Sequence, residues 1–243
     1  MEAVILAAGY GTRLGELGKR TPKALLPVGG KPVIAYLLES LAACGIERGV
    51  LVTNARFADS FARYFEGGKP PVSLRLVNDG STEPENRLGA VRDLALALEH
   101  VKEGQSVFVS ASDNIFTDPF DRLIERYRQV RCPVIALIPE EDPEVLKRSG
   151  VAHIAPDGRL ISFVEKPVEP QGRYATPPLY LYPPDIRRDI ADFLSDPAYD
   201  HDAPGNLVSF LVKRRPVYGV VLRGRRYDIG SLQSYEEAKR AFS

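Results

Sequence analysis

A rhythm of short, wholly apolar runs, each followed by residues at helical spacing, constrains this chain more than any other feature. Val4-Ile-Leu-Ala-Ala8 is the first run, and it ends in Gly9. A strand that is apolar at every position, rather than at alternate ones, is buried on both faces, as in a parallel sheet. Lys31-Pro32 opens a helix, with proline at an early position where its missing N–H costs little. Val33, Ile34, Leu37, Leu38 and Leu41 recur at helical spacing, and Gly45 reads as the C-cap. Residues 49–53, 72–77 and 106–110 read as strands, and 58–65 and 88–101 as helices. Strand–helix units of about 30 residues need crossover connections, which give a mostly parallel sheet covered on both faces. The expected fold is therefore α/β, a Rossmann-like three-layer sandwich. Ligands in such sheets bind at the carboxyl ends of the strands. Residues 8–13 and Asp113-Asn114 each follow a strand directly, so they share one rim.

After Pro133-Val-Ile-Ala-Leu-Ile-Pro139 the pattern changes. Residues 151–154, 160–164 and 180–182 are short strands separated by turns such as Asp157-Gly158, which predicts a small antiparallel lobe over one side of the main sheet. A late helix follows Pro183, then a strand at 216–222, and a last helix runs from 231 to 242. Ser231 with Ser234-Tyr-Glu-Glu237 gives that helix a capped start. No linker interrupts the chain, so residues 1–243 read as one domain, with a core at 1–140 and a lobe with a closing strand and helix at 141–243.

Bulk properties exclude several classes. Lys plus Arg and Asp plus Glu both number 32, which argues against a protein that wraps nucleic acid through a basic face. No apolar run approaches the roughly 20 residues that span a bilayer. The start, Met1-Glu-Ala-Val-Ile-Leu, lacks the basic residues and long apolar stretch of a signal peptide. Cys44 and Cys132 have no CxxC partners, so buried free thiols and a cytoplasmic location are expected.

The segment Leu6-Ala-Ala-Gly-Tyr-Gly-Thr-Arg-Leu14 carries the strongest chemical signal. Gly9 and Gly11 let the backbone pass close to a ligand and leave N–H groups free for anionic oxygens. Arg13 adds a planar fork suited to phosphate. Lys23 lies between Pro22 and Pro27, so its loop is stiff. A Walker A loop fails on spacing, because Gly18-Lys19 continues into Arg20 with no glycine at the required distance. A dinucleotide fingerprint fails as well, since Gly15 falls one residue late.

With Thr21-Pro-Lys-Ala-Leu-Leu-Pro-Val28 appended, the string resembles the sugar-phosphate nucleotidyltransferases, in the short glucose-1-phosphate thymidylyltransferase-like form. That resemblance covers essentially the whole chain. It implies a nucleotide-diphospho-sugar transferase fold, with nucleotide bound by residues 1–140 and sugar phosphate by 141–243. Leu6, Ala8, Gly9, Gly11, Thr12 and Arg13 then surround the nucleoside triphosphate, with Arg13, Lys23 and Asp113 as the catalytic set. Ser110-Ala-Ser-Asp113-Asn114-Ile-Phe116 is similar to the family's LGDNIF segment, with Ala111-Ser112 in place of Leu-Gly. By itself it also reads as a strand ending in an Asp-Asn turn. Tyr227-Asp228-Ile-Gly230-Ser231 is similar to the element that bears the second metal ligand, and Asp228 read alone is a carboxylate at a helix N-terminus. The resemblance implies Mg²⁺ held by Asp113 and Asp228.

Glu165-Lys166-Pro167 resembles the family's EKP signature, although a Glu–Lys pair is ordinarily a solvated surface pair of little value. Gly150, Glu165, Lys166, Asn114 and Tyr180 are the implied sugar-phosphate contacts. Val77-Asn78-Asp-Gly80 with Arg87-Leu-Gly89 matches the base-reading segment, so Asn78 and Gly89 are the implied base contacts. Asn78 stands where the family often has glutamine, and it leaves thymine, uracil and cytosine open. Pro177-Pro178 stands where many relatives carry Thr-Gly, which opens a cyclitol or alcohol phosphate as an alternative to a hexose 1-phosphate. His201-Asp-Ala-Pro-Gly205-Asn206 reads either as a lining of the acceptor pocket or as a surface loop, the loop being preferred, and His100 and His153 have no expected chemical role.

The expected reaction joins a nucleotidyl group from dTTP or UTP to a sugar 1-phosphate, releasing pyrophosphate. A catalytically idle nucleotide-sugar sensor is the rival of a different class, and retention of both aspartates and the lysines counts against it. A glycosyltransferase would be expected to carry DxD after a strand, where this chain has Asp113-Asn-Ile. The sequence leaves the oligomeric state open, a homo-oligomer included. Relatives often carry a carboxy-terminal hexapeptide-repeat helix that this sequence lacks, so no activity or assembly through one is expected.

Overall fold

The computed structural model describes residues 1–243. In chain order the elements are β1 (Glu2–Leu6), α1 (Glu16–Arg20), β2 (Pro27–Val28), β3 (Lys31–Pro32), α2 (Val33–Ala43), β4 (Arg48–Thr53), α3 (Ala58–Glu66), β5 (Ser73–Asn78), α4 (Ala90–Leu98), β6 (Val107–Ala111) and β7 (Asn114–Phe116). There follow α5 (Asp121–Val130), β8 (Val134–Pro139), α6 (Pro143–Leu146), β9 (Gly150–Ile154), β10 (Leu160–Glu165), β11 (Tyr174–Thr176), β12 (Leu179–Tyr182), α7 (Ile186–Ser195), α8 (Pro204–Val212), β13 (Tyr218–Val221), β14 (Arg226–Asp228) and α9 (Leu232–Ala241).

The apolar run at the amino terminus becomes β1, in the middle of the parallel part of the sheet, with β4 on one side and β6 on the other. Ten strands form the sheet, in the order β10-β9-β11-β8-β12-β6-β1-β4-β5, with β13 also paired to β8. The antiparallel strands expected in the second half are present, and they continue this sheet edge to edge. The join is β12, which runs antiparallel to both β6 and β8.

Alternate side chains of β1 enter opposite cores, as a period of two requires. Val4 meets the apolar faces of α4, α7 and α8, including Leu94, Ile190 and Leu211. Ala3 and Ile5 meet those of α2, α3 and α5, including Leu38, Phe61 and Leu123. Val4 and Ile5, fully buried, each contribute about 1.5–3 kcal/mol before the entropy cost. The layers are therefore helix, sheet, helix.

A third, smaller core fixes the site. Leu14 of the glycine loop packs with Leu26, Val33, Ile115, Ile229, Tyr235 and Ala238, so the last helix holds down the first loop. Tyr235 Oη also donates to the Pro27 carbonyl at 2.9 Å. The capping box at the start of α9 joins Ser231 and Ser234.

Two boundaries differ from the expectation for physical reasons. Lys31-Pro32 pairs with Pro27-Val28 as a two-residue ladder, so the helix starts at Val33. At the other helix, Gly89 has φ 90°, outside helical geometry, so α4 begins at Ala90 and not at residue 88. Both cysteines are free and half-buried. No helix is long and apolar enough to cross a membrane.

Candidate active site

A cavity of about 480 Å³ opens at the carboxyl ends of β1 and β6, walled by the loop 6–13, the start of α4 and the strands β9 to β12. Every site residue expected from the sequence lines it except Asn78: Leu6, Ala8, Gly9, Gly11, Thr12, Arg13, Lys23, Gly89, Asp113, Asn114, Gly150, Glu165, Lys166, Tyr180 and Asp228. Asn78 is exposed at the end of β5, and its Oδ1 accepts from Gly80 N at 2.9 Å.

The loop's shape follows from two glycines. Gly11 has φ 62°, a left-handed conformation that a Cβ strains. Gly18, on α1, lies so close beneath it that a Cβ there would overlap the Gly11 carbonyl oxygen. Gly9 faces open space, leaving its backbone accessible. Asn54, fully buried after β4, fixes the loop from below: its Nδ2 donates to the Ala8 carbonyl at 2.9 Å, and its Oδ1 accepts from Phe57 N at 3.0 Å.

The two expected metal acids come together because β7 and β14 pair antiparallel, with Asp228 in register opposite Asn114. Ile229 N donates to the Asp113 carbonyl at 2.9 Å. A continuous polar chain spans the pair. Lys23 Nζ contacts Asp113 Oδ2 at 2.9 Å, and Asn114 Nδ2 donates to Asp113 Oδ1 at 2.9 Å. Arg226 Nε donates to Asn114 Oδ1 at 2.6 Å, and its Nη2 lies 3.4 Å from Asp228 Oδ2. Asn114, implied as a sugar-phosphate contact, thus has its amide engaged as a strut between Asp113 and Arg226. Burial, and then the charge of Asp113, raise the carboxyl of Asp228 above its ordinary range, while Arg226, Lys23 and Arg13 oppose the rise.

Two acids at one edge of a cavity rich in cations fit a hard divalent ion such as Mg²⁺, which takes one or two carboxylates and completes its shell with phosphate oxygens and water. No group of three or more His, Cys, Asp or Glu is placed to form an all-protein cage.

Glu165, which lines the same cavity, is threaded between two glycines. A Cβ on Gly150 would lie 2.9 Å from Glu165 Oε2 and overlap Phe163 and Thr176, and a Cβ on Gly205 would overlap Oε2 itself. Burial raises the Glu165 carboxyl, Lys166 lowers it and Asp200 raises it again. Lys166 has φ 46°, a strained value for a residue before proline, and Lys166 N donates to the Ser149 carbonyl at 3.0 Å. Its side chain stays 60% exposed, with Nζ 4.0 Å from Glu165 Oε1.

The segment 201–206 forms part of the wall, the less favoured of its two readings from sequence. Asp202, Pro204 and Gly205 line the cavity, and Pro204 opens α8. Asp202 receives Arg87 Nη2 at 2.8 Å, while the carbonyls of Asp202 and His201 accept from Ala90 N at 3.0 Å and Val91 N at 3.3 Å. Helix α4 is therefore capped by the segment that also carries Gly205. The sequence reading missed Asp93 as well, a cavity residue on α4 whose acid at an otherwise apolar helix position was the available signal.

The chain is 32% identical over 183 residues to a glucose-1-phosphate thymidylyltransferase of Mycolicibacterium smegmatis, covering 75% of this chain and 61% of that protein. It is 30% identical over 239 residues to a mannose-1-phosphate guanyltransferase of Yarrowia lipolytica, covering 97% and 62% respectively. It therefore spans about three fifths of the length of these two relatives. UTP–glucose-1-phosphate uridylyltransferase AglF of Haloferax volcanii is 26% identical over 241 residues, covering 98% of this chain and 95% of that protein. Among solved structures, a Bacillus anthracis protein provisionally assigned as a glucose-1-phosphate thymidylyltransferase, in complex with sucrose, superposes with TM-score 0.86 at 26% identity. That superposition covers 100% of this chain and 95% of that one. The model of the nucleotidyl transferase family matches residues 2–243, glycine loop and paired acids included, and the chain belongs to that family.

Proposed function

We propose that this protein transfers a nucleotidyl group from a nucleoside triphosphate, UTP or dTTP, to a hexose 1-phosphate, giving a nucleoside diphosphate sugar and pyrophosphate. The carrying observation is the chain Lys23–Asp113–Asn114–Arg226–Asp228 lining one cavity with Glu165 and Lys166. A phosphate oxygen of the sugar phosphate attacks the α-phosphorus, forming one P–O bond while the bond to the β-phosphate breaks. The nucleophile is substantially ionised at neutral pH, because the second pKa of a phosphomonoester is about 6. No general base is needed.

The obstacle is bringing two polyanions together in line. Backbone N–H groups of the glycine loop and the Arg13 guanidinium face the triphosphate. Lys23 lies where charge develops on the transferred group, and Lys166 faces the acceptor phosphate. Asp113 and Asp228 would hold a divalent cation, which supplies charge neutralisation at the triphosphate when bound. Glu165, buried between Gly150 and Gly205, is placed to accept from sugar hydroxyls.

A second acceptor class, a cyclitol or alcohol phosphate, rests on Pro178, which stiffens the cavity wall beside Tyr180. The test is a matrix of nucleoside triphosphates against a panel of sugar and alcohol phosphates with Mg²⁺, scored by pyrophosphate release and product mass. Absence of any metal-dependent product refutes the reading, and product from a non-sugar phosphate alone selects the second class.

A further inference from the structure

Asp93 is an acid where its helix has no need of one. It sits one turn into α4, just past Gly89 and Ala90, on the face that packs with Val91, Leu94 and Ala97 against the sheet. It is 5% exposed, it lines the active-site cavity, and its Oδ1 is buried without a hydrogen-bond partner. An unmet buried acceptor costs about 1–3 kcal/mol, more when charged. Oδ2 has no hydrogen-bond partner either, and it is the oxygen left at the cavity surface, so it points to a donor that arrives with the ligand.

The neighbours decide which hydrogen-bonding character Asp93 presents. Asp79, following β5, faces it closely enough to share a proton. Both oxygens of Asp79 are already occupied by Ser81: Oδ1 accepts from Ser81 N at 2.8 Å and from Oγ at 2.7 Å, and Oδ2 lies 2.9 Å from Oγ. Tyr10 Oη in turn donates to Ser81 Oγ at 3.0 Å, which ties the cluster to the glycine loop. Asp202, the remaining charged neighbour, is bound to Arg87. A proton shared between Asp93 and Asp79 satisfies one Asp93 oxygen and leaves the other as a hydrogen-bond acceptor.

Asn78, the side-chain amide expected to read the base, is turned away to Gly80. Within the cavity the α4 end therefore offers a carboxyl acceptor and no amide. We propose that Asp93 selects the nucleobase, accepting the ring N–H of uracil, thymine or guanine and rejecting cytosine and adenine, whose corresponding ring nitrogen carries a lone pair. Discrimination arises from both sides: the right base satisfies a buried acceptor, and the wrong one sets two lone pairs against each other. This inference rests on the nucleotidyl transfer reading above and assigns the base end of the same cavity.

The experiment is calorimetric titration of the full chain with UTP, dTTP, GTP, CTP and ATP in turn, with wild type, Asp93→Leu and Asp93→Asn. Wild type is expected to bind at least one of UTP, dTTP and GTP at least ~10-fold tighter than CTP and ATP, the size of one good hydrogen bond. Asp93→Leu is expected to lose that ratio, whereas a structural role would weaken all five nucleotides alike. Asp93→Asn is expected to keep the ratio, because its NH₂ can donate to Asp79 while its carbonyl remains an acceptor. As a check on the atom concerned, N3-methyl-UTP is expected to bind wild type at least ~10-fold more weakly than UTP, and to approach UTP in Asp93→Leu. Tightest binding of CTP or ATP by wild type, or an unchanged ratio in a folded Asp93→Leu, overturns the assignment while leaving nucleotidyl transfer standing. Failure of every triphosphate to bind removes both.

Discussion

Replacing Asp93 by asparagine has a consequence for stability that is separate from any ligand. Burial, and then the charges of Asp79 and Asp202, lift the Asp93 carboxyl from 3.8 to about 7. Its folded pKa therefore lies above its unfolded one, so the folded state holds the proton more tightly. The stability this confers is fully present below about pH 4, declines as the pH rises, and is gone above about pH 7. A rise of some three units, at about 1.4 kcal/mol per unit, sets ~4 kcal/mol as the ceiling. Relaxation around an ionised Asp93 lowers the expected value below that ceiling. Asparagine has no proton to lose and keeps a donor for Asp79. Urea denaturation of both proteins from pH 4 to 8 gives the variant-minus-wild-type difference. That difference should climb in favour of the variant between about pH 4 and 7 and level off above. A flat difference, or wild type gaining on the variant as the pH rises, refutes the account of Asp93 as a buried, proton-sharing acid.

Other perturbations test other parts of the site. Lys23→Ala, Asp113→Ala and Asp228→Ala are each expected to lower the rate at least ~100-fold with an unchanged far-ultraviolet circular dichroism spectrum. Wild-type turnover in any one removes that residue from the mechanism. Gly205→Ala places a methyl group on the Glu165 carboxylate and should cost about 1–3 kcal/mol, with a larger rise in KM for the sugar phosphate than for the nucleotide. Equal effects on both would place Glu165 outside the acceptor site. Gly18→Ala collides with backbone rather than with a mobile side chain, and it should weaken triphosphate affinity at least ~10-fold by displacing the loop. Arg87→Ala removes a half-exposed ion pair with Asp202, so its effect on unfolding free energy should stay below about 1 kcal/mol.

How much of this was legible beforehand depended on range. Helix α2 and strand β1 declare themselves through local periodicity, because burial repeats every few residues along one element. The glycine loop is legible for a similar reason: Gly9, Gly11, Arg13 and Lys23 are consecutive or nearly so. The meeting of Asp113 with Asp228 was reachable only through resemblance, since the two-strand pairing that joins them has three residues a side and no periodicity of its own. Asn54 was not legible, because a buried amide holding a carbonyl 46 residues away leaves no pattern in sequence. For Gly205 the surface loop was preferred over the pocket wall, because the reason for a glycine there is the carboxylate of Glu165, which folding alone brings beside it. Asn78 went the other way: the resemblance implied a base contact, and its Oδ1 accepts from the nearer Gly80 N–H.

The position of β12 governs how the molecule can be assembled. This strand sits between β6 and β8 and is the only link between the parallel half of the sheet and its antiparallel extension. Until it docks, β6 presents a row of unpaired backbone groups on an apolar edge, which is a template for the wrong neighbour. The chain must bring residue 179 back to residue 110 across all of β7 to β11 to close that seam, and separations of this length slow folding. Tyr180, which completes the cavity wall, lies on the strand that closes it. The pocket therefore cannot exist in a half-built protein, and a chain able to hold substrate has already sealed its own most adhesive edge.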